Sequence, residues 1–268
     1  MLLVKSCDSR FNPKNCGTIK IGSLYEYRNT EIEEIADKSE GFFDFRIRIG
    51  SPVPVPIKWF NYIMSGSVSL GGAEYDSMPN FPGRMSVDIE SLRATSRSDE
   101  HVVLTDTVID IHREDINGFI FCMSLLRRTR DSEGIFKGYN DKWYCSSLKA
   151  GRIAHCLAHS VLRKAIEDLR SGELLIPELK SEKDINVFVR HGLVKYTSRE
   201  MYLTPERGYE LDEFFSTLQD MSFIKPVDPF SIEREYRFHM LIVVGGRIVE
   251  PWKNSIIVDA SNMMGIIL

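Results

Sequence analysis

The sequence predicts a β-dominated α+β fold, and three features carry that prediction. From Phe42 to Arg113, apolar and polar side chains alternate in short segments separated by Gly and Pro clusters, which is typical of antiparallel strands. Two other runs, Gly118–Leu126 and Met240–Val244, are almost wholly apolar, as in strands buried on both faces. Apolar residues recur at steps of three and four from Ala154 to Leu169, which indicates one long amphipathic helix. We therefore expect an antiparallel β-sheet core with one long helix and a few short ones.

The individual elements follow from the same patterns. Strands are expected, in chain order, at Leu2–Val4, Thr18–Ile21, Phe43–Ile49, Tyr62–Met64 continuing into Val68–Leu70, Met85–Ile89, Val102–Ile111, Gly118–Leu126, Lys142–Leu148, Met240–Val244 and Ser255–Asp259. The polar segment Ser91–Glu100 predicts an exposed loop, and Gly172 predicts the end of the long helix. Asp184–Leu203 predicts a hairpin that bends near His191–Gly192, and Leu211–Leu218 predicts a short helix.

Length and composition favour a single globular domain over residues 1–268. Charged residues make up 27% of the chain and hydrophobic residues 43%, which is ordinary for a soluble protein. The formal net charge of −4 argues against tight nucleic-acid binding through bulk positive charge. Because no linker, internal repeat or low-complexity tract divides the chain, we expect one domain.

The cysteines and the apolar runs predict a cytoplasmic protein. The chain has 5 cysteines, which are scattered and form no CxxC pair, so we expect reduced thiols, no disulfide framework and no structural zinc site. The N-terminal apolar run is too short for a signal peptide. No run reaches the roughly 18 apolar residues that a membrane-spanning helix needs, so no membrane association is expected.

The stretch Met221–Val244 carries an unusual charge pattern. Two prolines, Pro226 and Pro229, mark a turn, and a strand is expected to follow it. Since side chains alternate along a strand, Glu233, Glu235 and Arg237 would lie on one face. Like charges on one face repel unless Arg237, solvent or a ligand compensates them, and such a conflict is typical of a functional site. The alternative is the solvated rim of an edge strand, where charges block pairing with other sheets.

Three weaker patterns have ordinary alternatives. The acid-rich segment Glu31–Glu40 has carboxylates that suit a hard cation, and a solvated helix turn is the simpler interpretation. Arg127–Arg128 forms either an anion-binding lip or a solvated loop. His155 and His159 lie one helical turn apart, but without an HExxH signature we interpret them as surface residues. No metal site is therefore predicted.

Two stretches of the sequence form a recognisable pair. The first is Gly17–Arg28, GTIKIGSLYEYR, followed by Ala36–Gly41, ADKSEG. The second is Phe223–Phe230, followed by Glu233–Arg237, EREYR. With Phe119–Ser124 as central strand, they resemble a family of bacterial and phage proteins, many linked to abortive infection, that ends in a Lys…aromatic…Glu-x-Glu-Tyr-Arg pattern. The resemblance implies a toxin or a phage-defence effector.

The layout is also similar to the ADP-ribosyltransferase superfamily, whose members have a split antiparallel β-core. The resemblance implies NAD as the substrate and a protein or nucleic acid as the acceptor. It implies that Glu235 binds the nicotinamide-ribose 2′-hydroxyl and that Glu233 prepares the acceptor. Ser124 would be the middle-strand residue, and Tyr25 or Tyr27 would stack on nicotinamide.

The resemblance also implies cationic groups for the pyrophosphate of NAD. The superfamily has an Arg or His on its first strand, where this sequence offers Lys5 or Arg10. Guanidinium forks suit phosphate oxygens. The candidates are Arg28, Lys225, Arg237 and Arg127–Arg128.

The chemistry that the resemblance implies is consistent with two carboxylates. Cleavage of the nicotinamide–ribose bond builds positive charge on the ribose, which a carboxylate in a desolvated cleft stabilises. A second carboxylate two residues away on the same strand face can act as general base for the acceptor. These roles fall to Glu235 and Glu233.

Two other functions are compatible with the sequence. A non-catalytic recognition protein in phage–host conflict would use its 10 tyrosines and 3 tryptophans as interface anchors for a protein partner or antitoxin. A metal-dependent nuclease would use the acids of Glu31–Glu40 to hold Mg²⁺, although this segment lacks the Glu-x-Lys that often accompanies such sites.

The enzyme hypothesis makes a structural prediction about the two apolar strands. The strand that contains Glu235 should pair with Phe119–Ser124 at the centre of the sheet, because only strands covered on both faces tolerate such runs. Ser124 and Glu235 should then open into one crevice.

The surroundings of Glu235 are predicted as well. Tyr25 and Arg28 should close the crevice from its other side. Glu235 should be partly buried against Arg237 or Arg28, because a buried carboxylate without a cationic neighbour is too costly.

Overall fold

A computed structural model describes residues 1–29, 38–64, 68–71, 83–198, 200–204, 211 and 221–268. Within them the strands are β1 (Leu2–Cys7), β2 (Thr18–Ser23), β3 (Phe42–Ile49), β4 (Val53–Pro56), β5 (Arg84–Arg97), β6 (His101–Glu114), β7 (Phe119–Leu126), β8 (Asp141–Ser146), β9 (Ile185–Leu193), β10 (Lys195–Thr197), β11 (Glu200–Leu203), β12 (Ile224–Pro226), β13 (Glu235–Val244), β14 (Arg247–Val249) and β15 (Ser255–Asp259). The helices are α1 (Pro13–Cys16), α2 (Leu24–Asn29), α3 (Ile57–Ile63) and α4 (Ala150–Ser171). Short 3₁₀ helices lie at Ser9–Phe11, Thr129–Ser132, Ser147–Lys149, Met221–Phe223, Phe230–Glu233 and Ser261–Met263. The fold is α+β and β-dominated, as predicted.

The chain forms two compact units. Unit 1 comprises Met1–Glu40, Asn117–Tyr196 and Val227–Leu268, and unit 2 comprises Gly41–Ile116 and Thr197–Pro226. Each unit has its own cluster of buried hydrophobic side chains. The single-domain organisation expected from the sequence stays a prediction.

The sheet of unit 1 divides at β7. Strand β13 pairs with one edge of β7. Strands β1 and β2 share the other edge, where β1 pairs with residues 124–126 and β2 with Phe119 and Ile120. Strand β8 adds to β1, β15 adds to β2, and both β9 and β14 add to β13, all of them antiparallel. The apolar strand β7 is therefore central, as its sequence predicts.

Helix α4 packs on one face of this sheet. Its side chains Ile153, Leu157, Val161 and Ala165 recur every four residues, so they lie along one side of the helix, and all four are buried. They share a core with alternate residues of β7 and β13, including Phe119, Phe121, Phe238 and Met240. The helix ends at Gly172, whose left-handed φ of 78° forms the C-cap. The predicted long helix and its stop are confirmed.

Unit 2 contains a second sheet, with β6 paired to β3, β4 and β5 in antiparallel fashion and β11 added parallel to β3. Strand β3 has the expected period of two, because Phe43, Phe45, Ile47 and Ile49 are all buried. The alternating pattern from Phe42 onward therefore predicted this sheet correctly.

Three element predictions were wrong. Tyr62 belongs to α3 and not to a strand, because Ile57–Ile63 is buried on all sides and so lacks an amphipathic helical signature. The expected loop Ser91–Glu100 is largely strand, because β5 continues to Arg97 and its polar residues pair with β6 in solvent. The chain does not bend at His191–Gly192, since β9 pairs with β13 throughout. Residues 212–218 of the expected short helix lie outside the described residues.

None of the helices in the described part of the chain is long and apolar enough to cross a bilayer.

Candidate functional site

Glu235 and Ser124 lie opposite each other on the two central strands of unit 1. In the antiparallel register, Glu235 pairs with Ser124 across β13 and β7, and Ser124 pairs with Val4 across β7 and β1. Directly paired residues point to the same face, so these three side chains form one row across the sheet. The predicted pairing of the two apolar strands is confirmed.

The row lies on the sheet face opposite α4. Residues of β13 alternate, so Glu235, Arg237 and His239 share this face while Phe238 and Met240 enter the α4 core. Four consecutive residues from Arg237 to Met240 are buried, which agrees with a strand covered on both sides. One face of the strand is thus apolar and the other carries charge.

Arg237 is the centre of the charged cluster and is fully buried, with 0% of its surface exposed. Its Nε donates to Glu235 Oε1 at 2.6 Å. Its Nη1 and Nη2 donate to the two carboxylate oxygens of Glu40 at 2.5 and 3.1 Å. Burial opposes the positive charge, but Glu235 and Glu40 outweigh burial and raise the pKa of Arg237 well above its usual value. The guanidinium is therefore a permanent cation held between two carboxylates.

The surroundings of Glu235 match the prediction of a buried carboxylate beside Arg237. Only 4% of Glu235 is exposed. Its main-chain N–H donates to the hydroxyl of Tyr196 at 2.9 Å, and its carbonyl accepts from the N–H of Val194 at 3.0 Å. Arg237 was predicted to bind pyrophosphate, but its contacts are with carboxylates. Its phosphate-binding role stays a prediction.

Helix α2 supplies Tyr25 and Arg28, which connect to the same cluster. The guanidinium of Arg28 lies over the ring of Tyr25, 4.5 Å from its centroid. The Nε of Arg28 donates to the main-chain carbonyl of Glu40, and the main-chain N–H of Tyr25 donates to Asn117 Oδ1 at 3.3 Å. Contacts therefore run from Tyr25 through Arg28 and Glu40 to Arg237. The two stretches that carry the family resemblance meet in this cluster.

Tyr27 lies on the same helix, and the charges of the site affect the pKa of its hydroxyl. Desolvation of its hydroxyl, together with the nearby Cys122, Glu26 and Glu235, raises the pKa of Tyr27 well above its usual value. A Cβ on Gly22 would lie 2.8 Å from the Tyr27 ring and closer still to the Glu26 carboxylate, so a larger residue there would displace these side chains. Tyr27 is thus a neutral phenol close to Glu235.

His239 occupies the next position along the charged face. Burial and the positive charges of Arg237 and Arg190 lower its pKa to about 3, so the imidazole is neutral at physiological pH. The ring lies against Gly118, where a Cβ would come within 2.5 Å of Nε2. Sequence reasoning did not single out His239, although its position two residues after Arg237 places it on the same face.

Glu233 is not on the strand, and its predicted place beside Glu235 was wrong. It is the last residue of the 3₁₀ helix Phe230–Glu233, and Arg234 follows it with a left-handed φ of 45°. This conformation turns the chain between the two glutamates, so period-two alternation does not relate their side chains. Glu233 is half-buried, whereas Glu235 begins the strand.

The conformation of Arg234 leads to a prediction about stability. A left-handed residue other than glycine costs about 1 kcal/mol, and β-branched residues cost more. We expect Arg234→Gly to be at least as stable as the wild type and Arg234→Val to lose about 1–2 kcal/mol in its free energy of unfolding. Urea titration of both variants measures this. Equal losses in the two variants would contradict the assigned backbone conformation.

The remaining cationic candidates lie elsewhere. Lys225 is buried on β12 and belongs to unit 2. Lys5 faces the α4 side of the sheet, with its ammonium 5.0 Å from the centroid of Phe121. Arg10 is exposed in the 3₁₀ helix Ser9–Phe11 and pairs with Asp8. The first-strand position in the Ser124–Glu235 row is therefore Val4, which is neither Arg nor His.

The arginine pair, the histidine pair and the acid-rich segment form no second site in the described residues. Arg127 and Arg128 are exposed, and Arg128 pairs with Asp131 in its own turn. His155 and His159 are exposed on α4, as expected for surface residues. Residues 31–37 of the acid-rich segment lie outside the described residues. Within the part of the chain that the structure describes, no group of three or more His, Cys, Asp or Glu side chains is arranged to hold a metal ion.

A shallow depression of about 430 Å³ lies at the far end of β13 from Glu235. It is lined mainly by Phe188, Leu241, Val243 and Ile248. The register places Leu241 beside Phe188 and Val243 beside Ile248, so the four side chains share one sheet face. The depression is apolar, and Leu241, its first lining residue on β13, lies six positions after Glu235 along the strand.

Glu40 is a second site residue, after His239, that sequence reasoning missed. The acid-rich segment was interpreted as a solvated turn, but Glu40 is buried and bound to Arg237, 197 positions away. The available signal was its place in the ADKSEG motif of the family resemblance.

Comparisons of the chain with protein-family models, with curated proteins and with solved structures give no match.

Proposed function

We propose that this chain is an NAD-dependent, ADP-ribosyltransferase-like enzyme, acting as a toxin or phage-defence effector on a protein or nucleic acid. The observation that carries the proposal is the pairing of Glu235 with Ser124 on the central strands of a sheet that divides at β7. This arrangement agrees with the split β-core and the strand positions that the family resemblance implies.

The proposed reaction transfers ADP-ribose from NAD to a nucleophile. The bond between ribose C1′ and the nicotinamide nitrogen breaks, and nicotinamide leaves with the bonding electron pair. Glu235 stabilises the positive charge that develops on the ribose, where low local polarity strengthens the interaction. The acceptor forms a bond to C1′, and its proton passes to a general base, for which Glu233 in the 3₁₀ helix that precedes β13 is the candidate.

Other residues would bind the rest of NAD. Tyr25 and Tyr27 offer aromatic rings for nicotinamide, and Arg28 offers a guanidinium for phosphate oxygens. Val4 in the first-strand row supplies no charge, so the phosphate contacts have to come from other elements. Because Glu235 is 4% exposed, NAD reaches it only when the side chains that cover it move aside.

The test is transfer of label from NAD by purified protein in the presence of cell lysate, with nicotinamide release measured in parallel. We expect Glu235→Gln to lower both rates at least about 100-fold, because the carboxylate acts on the transition state. Asp168→Asn is the matched control, since Asp168 is equally buried and ion-paired, to Lys164 and Lys253, but lies on α4. If the wild type neither transfers label nor releases nicotinamide, the proposal is overturned. Protease or nuclease treatment of labelled product identifies the acceptor class.

A second candidate function is non-catalytic recognition of a protein partner. The exposed apolar side chains around Phe188, which is 62% exposed, favour it, because aromatic anchors are common at interfaces. This function predicts that Phe188→Ser abolishes the cellular phenotype while a folded Glu235→Gln protein retains it. The enzyme proposal predicts loss of the phenotype in Glu235→Gln.

A further inference from the structure

Glu40 and Glu235 share one buried guanidinium, although they lie near opposite ends of the chain. Glu40 accepts from both Nη atoms of Arg237, whereas Glu235 accepts from Nε. A two-point contact between a carboxylate and a planar guanidinium fixes the orientation of the plane as well as its position. The direction of the Nε–H bond toward Glu235 therefore depends on Glu40.

The backbone of Glu40 is anchored in turn by α2. Arg28 donates from Nε to the Glu40 carbonyl and stacks on Tyr25. The turn that carries Glu40 is thus tied to the helix whose tyrosines border the site. A side chain held at both its backbone and its carboxylate has little freedom to move.

We propose that Glu40 is a positioning residue for Glu235, acting through Arg237. This inference rests on the proposed function, because it concerns the glutamate assigned there to the transition state. Glu40 has two effects on Glu235. It orients the guanidinium that holds Oε1 of Glu235, and its negative charge competes for the same cation.

The two effects have separable consequences. Glu40→Gln removes the competing charge but keeps an acceptor for Arg237. Glu235 then has a larger share of the guanidinium, so its ionised form is favoured and its pKa falls. Glu40→Asp keeps the charge but shortens the side chain, so the guanidinium plane moves and Glu235 is misplaced.

The experiment measures kcat and KM for NAD against pH in the wild type, Glu40→Gln and Glu40→Asp. We expect the acid limb of the profile in Glu40→Gln to move to lower pH by about one unit. In Glu40→Asp we expect the acid limb to stay in place and kcat to fall about 10-fold or more, with KM changed less. Asp168→Asn, a buried carboxylate outside the cluster, should change neither the acid limb nor the ratio of kcat to KM.

A second readout does not require activity. Titration of the Glu235 carboxyl carbon by NMR, assigned with Glu235→Gln, should show a lower pKa in Glu40→Gln than in the wild type. An unchanged Glu235 titration in a folded Glu40→Gln protein overturns the inference. If Glu40→Gln does not fold, Glu40→Asp provides the test. The inference is then overturned if the acid limb of Glu40→Asp moves, or if the kcat of Glu40→Asp equals that of the wild type. An inactive wild type with the expected Glu235 shift contradicts the proposed reaction but supports the coupling of the two carboxylates.

Discussion

Replacement of Arg237 by methionine is expected to lower the free energy of unfolding by about 3–5 kcal/mol. The substitution leaves Glu235 and Glu40 in a buried position without the cation that contacts both of them. Desolvated carboxylates are costly unless a charge or hydrogen bonds compensate them, so the folded state carries the penalty. A loss of this size is a large fraction of the roughly 5–15 kcal/mol that stabilises a typical domain.

Urea denaturation followed by tryptophan fluorescence, to which the buried Trp143 of unit 1 contributes, measures this loss. Arg163→Met is the matched control, because Arg163 also lies near two carboxylates, Glu167 and Asp259, but is exposed. The control should cost less than about 1 kcal/mol. A triple variant that combines Arg237→Met with Glu235→Gln and Glu40→Gln removes both carboxylate charges as well. It should recover much of the stability that Arg237→Met loses. A single Arg237→Met variant as stable as the control would show that the cluster is not a buried charge network.

The centre of the sheet could be predicted because burial leaves a strong mark on composition. Phe119–Leu126 and Glu235–Val244 contain apolar residues on both faces, and such strands pack inside a sheet. That argument was sufficient to predict that the two strands are neighbours and that Glu235 lies near Ser124. The same pattern does not specify the register of the two strands. The structure shows that Glu235 pairs directly with Ser124.

The positions of Glu233 and Glu40 could not be derived from the pattern. A positive φ at Arg234 has no local signature, because arginine is not a residue that favours it. The strand predicted from the sequence therefore began at Glu233, two residues before the start of β13 at Glu235. The pairing of Glu40 with Arg237 joins residues 197 positions apart, and nothing in an acidic turn shows which one of its carboxylates will be buried.

Helix α3 was missed for a related reason. The period of 3.6 residues is visible only when one side of a helix is polar. Six of the seven residues in Ile57–Ile63 are buried, so the pattern has no polar face. A short apolar run of this kind does not distinguish a strand from a buried helix.

Acidification is expected to destabilise the protein through His239. The pKa of His239 is lowered from 6.5 to about 3 by burial and by the charges of Arg237 and Arg190. Between these two values the unfolded chain binds a proton that the folded chain does not, so the unfolded state is favoured as pH falls. At about 1.4 kcal/mol per unit of pKa difference, His239 alone should remove about 2–3 kcal/mol between pH 6.5 and pH 4.

The contribution of His239 is isolated by comparing the pH dependence of unfolding in the wild type and in His239→Gln. Carboxylates with lowered pKa values, such as Asp8, Glu133 and Glu182, also lose stabilising contacts in acid, but they do so equally in both proteins. Glutamine has no proton to gain, so the free energy of unfolding should fall less steeply below pH 6.5 in the variant. His155→Gln, the same substitution at an exposed position of α4, is the control and should keep the wild-type slope. If the free energy of unfolding depends on pH in the same way in the wild type and in His239→Gln, the expectation is wrong. His239 would then take up its proton in the folded state, in an environment more polar than the buried face beside Arg237.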